Sequence, residues 1–204
     1  MVRRDLESRG ISDKRVLAAM DSVPRECFVP VDVQHLAYAD QPLPIGYEQT
    51  ISQPYIVALM TELANLNRHS RVLEVGTGSG YHTAVLAGIA EHVWSVERIE
   101  ELSVQAERRL THIGIRNVTL LVGDGACGHS KGSPFDAIVV AAAAPEPPQL
   151  LLHQLAVGGR LVIPIGDRAV QVLYGVERTV EGFKNHTSGS CRFVPLVSPH
   201  AFTR

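Results

Sequence analysis

Lysine is scarce: Lys14, Lys131 and Lys184 are the only ones in 204 residues, and the formal net charge is −2. A nucleic-acid binder carries a basic stripe, and this chain has none, so no nucleic-acid partner is expected. The three cysteines, Cys27, Cys127 and Cys191, are far apart and odd in number. They give no disulfide framework and point to a reducing, cytoplasmic compartment. No apolar run approaches a membrane span and the N-terminus shows no signal-peptide h-region, so no membrane partner is expected. The nine histidines form no H-E-x-x-H and no close Cys/His pair, so no metal is expected. Internal repeats and low-complexity linkers are absent too.

What is present is an ordinary globular composition, 45% hydrophobic. A chain of this length buries a sizeable core and favours one domain over 1–204, with 1–52 as an N-terminal cap and substrate-side loop. The organising stretch is RVLEVGTGSGY from Arg71. A short apolar, β-branched run stops at Gly76. Gly76, Gly78 and Gly80 then alternate with Thr77 and Ser79, and a helix pattern follows from Tyr81. Strand, glycine turn and helix make a small-molecule site at the C-terminal edge of a parallel sheet. The dinucleotide fingerprint G-x-G-x-x-G fails at Tyr81, and no Walker lysine follows. The stretch instead resembles the E-x-G-x-G-x-G motif of S-adenosylmethionine-dependent methyltransferases.

The N-terminal thirty residues are expected to be partly helical, with Ser12 as cap and Val16, Leu17 and Met20 on one face. Residues 31–52 read as a long surface loop rich in proline and glycine, a kind that is often functional. A helix over 54–66 follows, with Pro54 in its first turn and Ile56, Leu59, Met60 and Leu63 on one face. From Arg71 the pattern alternates: strands over 72–75, 92–97, 118–122, 135–141 and 160–165, with helices over 81–88, 100–113 and 145–155. The last strands are placed at 170–178 and 191–196, with one antiparallel member, and 181–189 reads as an exposed polar link. This alternation predicts an α/β class: a doubly wound, mostly parallel Rossmann-like sheet with an N-terminal helical cap and an antiparallel C-terminal strand.

Three acids stand at strand ends. Glu97, with Arg98 beside it, falls about 20 residues beyond Gly76, where an acid accepts the hydroxyls of an adenosine ribose; otherwise it is a solvated turn acid. Asp124, between Gly123 and Gly125, is placed to meet the exocyclic amine of adenine, or is simply an Asp-Gly turn. Glu74, before the first glycine, can meet loop amides or, through water, the cationic part of a ligand. Glu100 and Glu101 read as helix-start charges. Ser52 suits two readings: an ordinary helix cap before Pro54, or a reactive-group role beside the loop.

Seven stretches resemble the protein-L-isoaspartate O-methyltransferase family, in that family's order. They are AYADQPLPIGYEQTISQPYIVALM from Ala37, RVLEVGTGSGYHTAVLA from Arg71, VWSVERIEEL from Val93, GDG from Gly123, PFDAIVVAAAAPEPP from Pro134, LAVGGRLVIPIG from Leu155 and RFVPL from Arg192. The resemblance implies methyl transfer from S-adenosylmethionine to the free α-carboxylate of L-isoaspartyl residues in damaged peptides and proteins, leaving S-adenosylhomocysteine. It implies that Ser52 is catalytic, and that Thr50, Ile51 and Gln53 flank the cofactor and substrate channel. It implies that Leu43, Pro44, Ile45 and Gly46, then Ala143 and Ala144, then Val194, Pro195 and Leu196 shape the peptide site. A monomer, and a swapped order of the last two strands, are implied likewise. Ala141 stands where the family usually has threonine, His82 where many members have glutamine, and Cys127-Gly128-His129-Ser130 replaces a tryptophan- and proline-bearing stretch. The alternatives are a methyltransferase with another carboxylate, nucleic-acid or small-molecule acceptor, and a cofactor-binding module without catalysis.

Overall fold

The computed structural model describes residues 1–203. Short helical turns over 2–9 lead into α1 (Lys14–Ser22). Its cap is Asp13, which accepts from the Arg15 N–H, and not Ser12 as expected; Ser12 donates to Glu62 instead. A 3₁₀ turn at Arg25–Phe28 buries Phe28, and another spans Val31–Leu36. The expected loop over 31–52 is therefore partly regular. Its second half is a hairpin of β1 (Leu43–Gly46) and β2 (Gln49–Ile51). Tyr47 and Glu48 turn the hairpin with φ of 54° and 58°. Two-residue hairpin turns of type I′ need positive φ at both central positions, usually met by Asn or Gly, so Tyr-Glu carries no such turn signal.

Next comes α2 (Pro54–Ala64), which ends at Asn65 in the left-handed conformation. Its innermost side chains are Val57, Ala58, Met60, Thr61 and Ala64. Of the face predicted, only Met60 is fully inside; Ile56, Leu59 and Leu63 are half-buried at its margin.

The alternating part follows as β3 (Arg71–Val75), α3 (Tyr81–Ala87), β4 (His92–Glu97), α4 (Glu100–His112), β5 (Val118–Val122), β6 (Phe135–Val140), α5 (Gln149–His153), β7 (Leu155–Gly166), β8 (Gln171–Thr179) and β9 (Gly182–Cys191). The seven strands form one sheet in the order β5-β4-β3-β6-β7-β8-β9. The pairs among β5, β4, β3, β6 and β7 are all parallel, and β8 is antiparallel to both β7 and β9. The mixed α/β class with a helical cap is as predicted.

Period-2 alternation splits the sheet side chains into two apolar layers. Val72, Val93, Ala137, Val139 and Val162 face the cap, α2 and α3. Leu73, Val75, Ile138, Val140, Leu161 and Ile163 face the other way, onto α5. Such strands read as continuous apolar runs because both faces are covered.

Two C-terminal expectations are corrected. The polar segment 181–189 is not a link but most of β9. It reads as loop because an edge strand with solvent on both faces has no apolar alternation. Of residues 191–196 only Cys191 belongs to that sheet, as the end of β9; residues 192–196 run on beside Ala143, with the Ala143 N–H donating to Val194 O at 2.8 Å and Leu196 N–H to Ala143 O at 2.7 Å. The helix expected over 145–155 is only α5, because three prolines occupy the approach to it.

Candidate active site

The chain crosses from one side of the sheet to the other about β3: β4 lies to one side and β6 to the other. Ligands of open α/β sheets bind where this reversal leaves a crevice beyond the strand ends. A cavity of about 750 Å³ opens there. Its floor is the glycine turn after β3, where Gly76, Gly78 and Gly80 have φ of 93°, 53° and 90°. Gly76, Thr77, Gly78 and Ser79 line it, whereas Gly80 packs against Ala106 of α4.

Glu97 ends β4 on the cavity wall. Its Oε2 accepts the Gly78 N–H at 2.8 Å, and its Oε1 accepts those of Arg98 and Ile99 at 2.8 and 2.9 Å. It therefore ties the glycine turn to the next strand's turn. Arg98 and Gly125 also line the cavity. A Cβ at Gly125 would overlap Val75 Cγ1, so only glycine fits that wall.

Glu74 does not reach the cavity and meets no loop amide. It is completely buried, and its Oε2 accepts from Thr83 Oγ1 and Ser95 Oγ, both at 2.5 Å. Ser95 Oγ is in turn 2.6 Å from Thr77 Oγ1 on the glycine turn. The Glu74 Oε1 has no partner among the described residues. Burial pushes the Glu74 pKa up to about 7, with the Glu97 charge adding to the rise while the two hydroxyl bonds oppose it. Below the ordinary value of 4.5 both folded and unfolded chains hold the proton. As pH rises from 4.5 the unfolded chain ionises while the folded one keeps its proton, so stability falls until the folded carboxyl also ionises at about 7. Glu74→Gln is expected to remove this decline. Urea unfolding at pH 5 and pH 8 should show the wild type losing on the order of 3 kcal/mol more than the variant; equal losses contradict the assignment.

Gly123 and Asp124 lie in an adjoining groove that shares Arg98 and Val197 with the main cavity. Asp124 caps the Ala126 N–H through Oδ1 at 3.0 Å and accepts Ser198 Oγ on Oδ2 at 2.7 Å. Each oxygen keeps a further lone pair for an incoming donor.

On the substrate side, Thr50, Ile51 and Ser52 line the cavity, as do Val194, Pro195 and Leu196. Ser52 is not the cap of α2; that position is Gln53, and neither side chain caps the helix. The Ser52 hydroxyl makes no hydrogen bond among the described residues. Gln53 turns away: its Nε2 donates to Asp40 O and Oδ2 at 3.0 and 2.7 Å, and the same carboxylate takes the Tyr55 N–H at 2.9 Å. Leu43, Pro44, Ile45 and Gly46 do not line the cavity. They form the strand that backs β2, with Leu43 opposite Ile51 and Pro44 opposite Thr50. Ala143 and Ala144 likewise stand behind the wall: Ala143 pairs with the 194–196 segment, and the Ala144 N–H donates to Pro164 O at 3.0 Å.

Sequence reasoning missed several lining residues. Tyr47, Glu48 and Gln49 come from the unforeseen hairpin, and Tyr81 and His82 from the start of α3. Glu100 and Glu101, read as mere helix-start charges, also face the cavity, as do Ala141 and Ala142. His82 sits 3.0 Å from Thr61 Oγ1, and burial pushes its pKa down to about 4, so it is neutral at pH 7. The charged walls are then Glu48, Glu97, Glu100 and Glu101 against Arg98. Such a surplus of carboxylates favours a cationic ligand. The size, the acid beyond β4 and the glycine floor all fit an adenosyl sulfonium.

Fold and site together define the class, a Rossmann-like S-adenosylmethionine-dependent methyltransferase. The profile of the family described as Protein-L-isoaspartate(D-aspartate) O-methyltransferase (PCMT) matches residues 1–201. The chain belongs to the protein-L-isoaspartate O-methyltransferase family. A Syntrophobacter fumaroxidans protein named protein-L-isoaspartate O-methyltransferase 1 is 53% identical over 197 residues, covering 97% of this chain and 92% of that one. A Yersinia enterocolitica protein-L-isoaspartate O-methyltransferase is 54% identical over 192 residues, covering 94% and 92%. Among solved structures, a Plasmodium falciparum protein in complex with S-adenosyl-L-homocysteine superposes with a TM-score of 0.84 at 29% identity, covering 96% of each chain.

Proposed function

We propose that this chain methylates the free α-carboxylate of L-isoaspartyl residues in damaged peptides and proteins, with Ser52 orienting the reacting acid. The observation that supports the role of Ser52 is its hydroxyl, free of any partner among the described residues, on the same cavity as the glycine turn. Bound S-adenosylmethionine supplies the electrophilic methyl of a sulfonium. Glu97 takes the ribose hydroxyls, and Asp124, with Gly123 and Gly125 beside it, meets the adenine amine. Glu74 acts from beneath, holding Thr77 through Ser95. Thr50, Ile51 and the 194–196 segment bound the peptide side.

A carboxylate is ionised near pH 7, so the protein needs no strong base. Its task is alignment in a dry site. Anion and sulfonium become ester and thioether, so charge disappears along the reaction. A cation held against the carboxylate would stabilise the ground state most and slow the transfer. A neutral hydroxyl orients without that penalty, and the buried imidazole of His82 is neutral as well. The carboxylates of Glu97, Glu100 and Glu101 would also repel an acid placed at the cofactor end, which favours the Ser52 end for it.

The chain is read as a monomer acting in the cytoplasm; three unpaired cysteines support a reducing compartment. The test is transfer of a labelled methyl group to an isoaspartyl peptide and to its matched aspartyl peptide. Base-labile label on the isoaspartyl peptide alone is the expected result. Label on both, or on neither with a small carboxylic acid accepted instead, overturns the reading.

A further inference from the structure

Arg25 is completely buried, as Glu74 is, yet it does not line the cavity. Its Nε donates to the Ala37 carbonyl at 2.7 Å and its Nη2 to the Ser52 carbonyl at 2.9 Å. The guanidinium carbon lies 4.7 Å from the centroid of the Tyr81 ring, which does line the cavity. Its Nη1 has no partner among the described residues. Three separate pieces therefore meet on one planar cation: the end of the 3₁₀ segment, the residue after β2, and the first residue of α3.

Stability alone gives a poor account of this arrangement. A buried guanidinium with an unmet donor and no carboxylate partner costs more than an apolar side chain of the same volume. Placement gives a better one. Ser52 belongs to the substrate side, and Tyr81 directly follows the glycine turn. A rigid fork bonded to one and stacked on the other fixes the span between the two halves of the cavity. In-line transfer is sensitive to displacements of about 1 Å at the reacting atoms.

We infer that Arg25 is a positioning residue that holds Ser52 at a fixed distance from the cofactor side through the Ser52 carbonyl and the Tyr81 ring. This rests on the proposed role of Ser52. Its charge sits behind the serine, not on the substrate acid, so it supplies order without the ground-state penalty of a direct contact. Lysine keeps the charge but cannot span two carbonyls and a ring face at once.

The test is a double-mutant cycle with Arg25→Lys and Ser52→Ala, reading kcat and KM for an isoaspartyl peptide and affinity for S-adenosylhomocysteine. Arg25→Lys is expected to lower kcat about tenfold with cofactor affinity within about threefold, and to change kcat less than about twofold in the Ser52→Ala background. An equal loss in both backgrounds overturns the positioning role and leaves the reading of Ser52 intact. A Ser52→Ala enzyme as active as the wild type removes Ser52 from the mechanism, and the positioning role falls with it. Arg25→Gln, assayed at saturating cofactor, serves if the lysine variant does not fold. Failure of both to fold makes Arg25 a determinant of the fold and overturns the inference as well.

Discussion

Ser52→Ala should lower kcat for an isoaspartyl peptide on the order of 10²-fold, the scale that a displacement of about 1 Å at the reacting atoms can cost. Cofactor affinity and the unfolding midpoint should stay at wild-type values. The reasons are local. The Ser52 side chain bonds no other described residue and caps no helix, so its loss orphans nothing inside the fold. The backbone at 52 remains held by Arg25 through the carbonyl, which alanine keeps. A pure orientation defect appears in kcat, since the hydroxyl matters most where oxygen, methyl and sulfur line up. Stopped turnover at saturating cofactor and peptide separates this from a binding defect. A rise in peptide KM with unchanged kcat would make Ser52 a docking contact only.

Glu97→Ala should weaken S-adenosylhomocysteine binding on the order of 10²-fold, because hydrogen bonds to a charged group are worth ~1.5–3 kcal/mol each. Two losses combine. The ribose acceptor disappears, and the N–H groups of Gly78, Arg98 and Ile99 lose their partner. The glycine turn is then no longer tied to the end of β4, so the variant should also unfold at lower denaturant. Glu97→Gln keeps one acceptor oxygen and should fall between the two. Titration calorimetry reads the affinities directly; an alanine variant that binds as tightly as wild type contradicts the ribose assignment. At saturating cofactor both variants should recover most of kcat, which distinguishes them from Ser52→Ala.

The parts legible in sequence were those with a strong local pattern. Apolar runs gave β3, β4 and β6, and where a glycine or an acid ended them, at β3 and β4, the glycine turn and Glu97. They are buried on both faces, so their composition differs sharply from what flanks them. β9 was illegible because polar side chains on an exposed edge look like loop. The hairpin around Tyr47 and Glu48 was illegible because its positive-φ residues are not the ones that usually mark such turns. Ser52 and Gln53 show a limit of another kind. Both sit in a motif and both were assigned to the site, but the chain turns into α2 at Gln53, whose side chain is taken by Asp40. Ser52 lines the cavity. Leu43 and Ile45 sit one strand further back, packing the hairpin's underside. Arg25 carried no signal at all: a single arginine among prolines reads as surface, and only the three-dimensional meeting of Ala37, Ser52 and Tyr81 explains it.

The most direct measurement is a crystal structure of the protein with S-adenosylhomocysteine and an isoaspartyl peptide bound together. The sulfur should face the Ser52 hydroxyl across the cavity, with that hydroxyl within roughly 2.6–3.2 Å of the peptide's α-carboxylate. A thioether sulfur that opens elsewhere, or a serine turned away from the carboxylate, would contradict it.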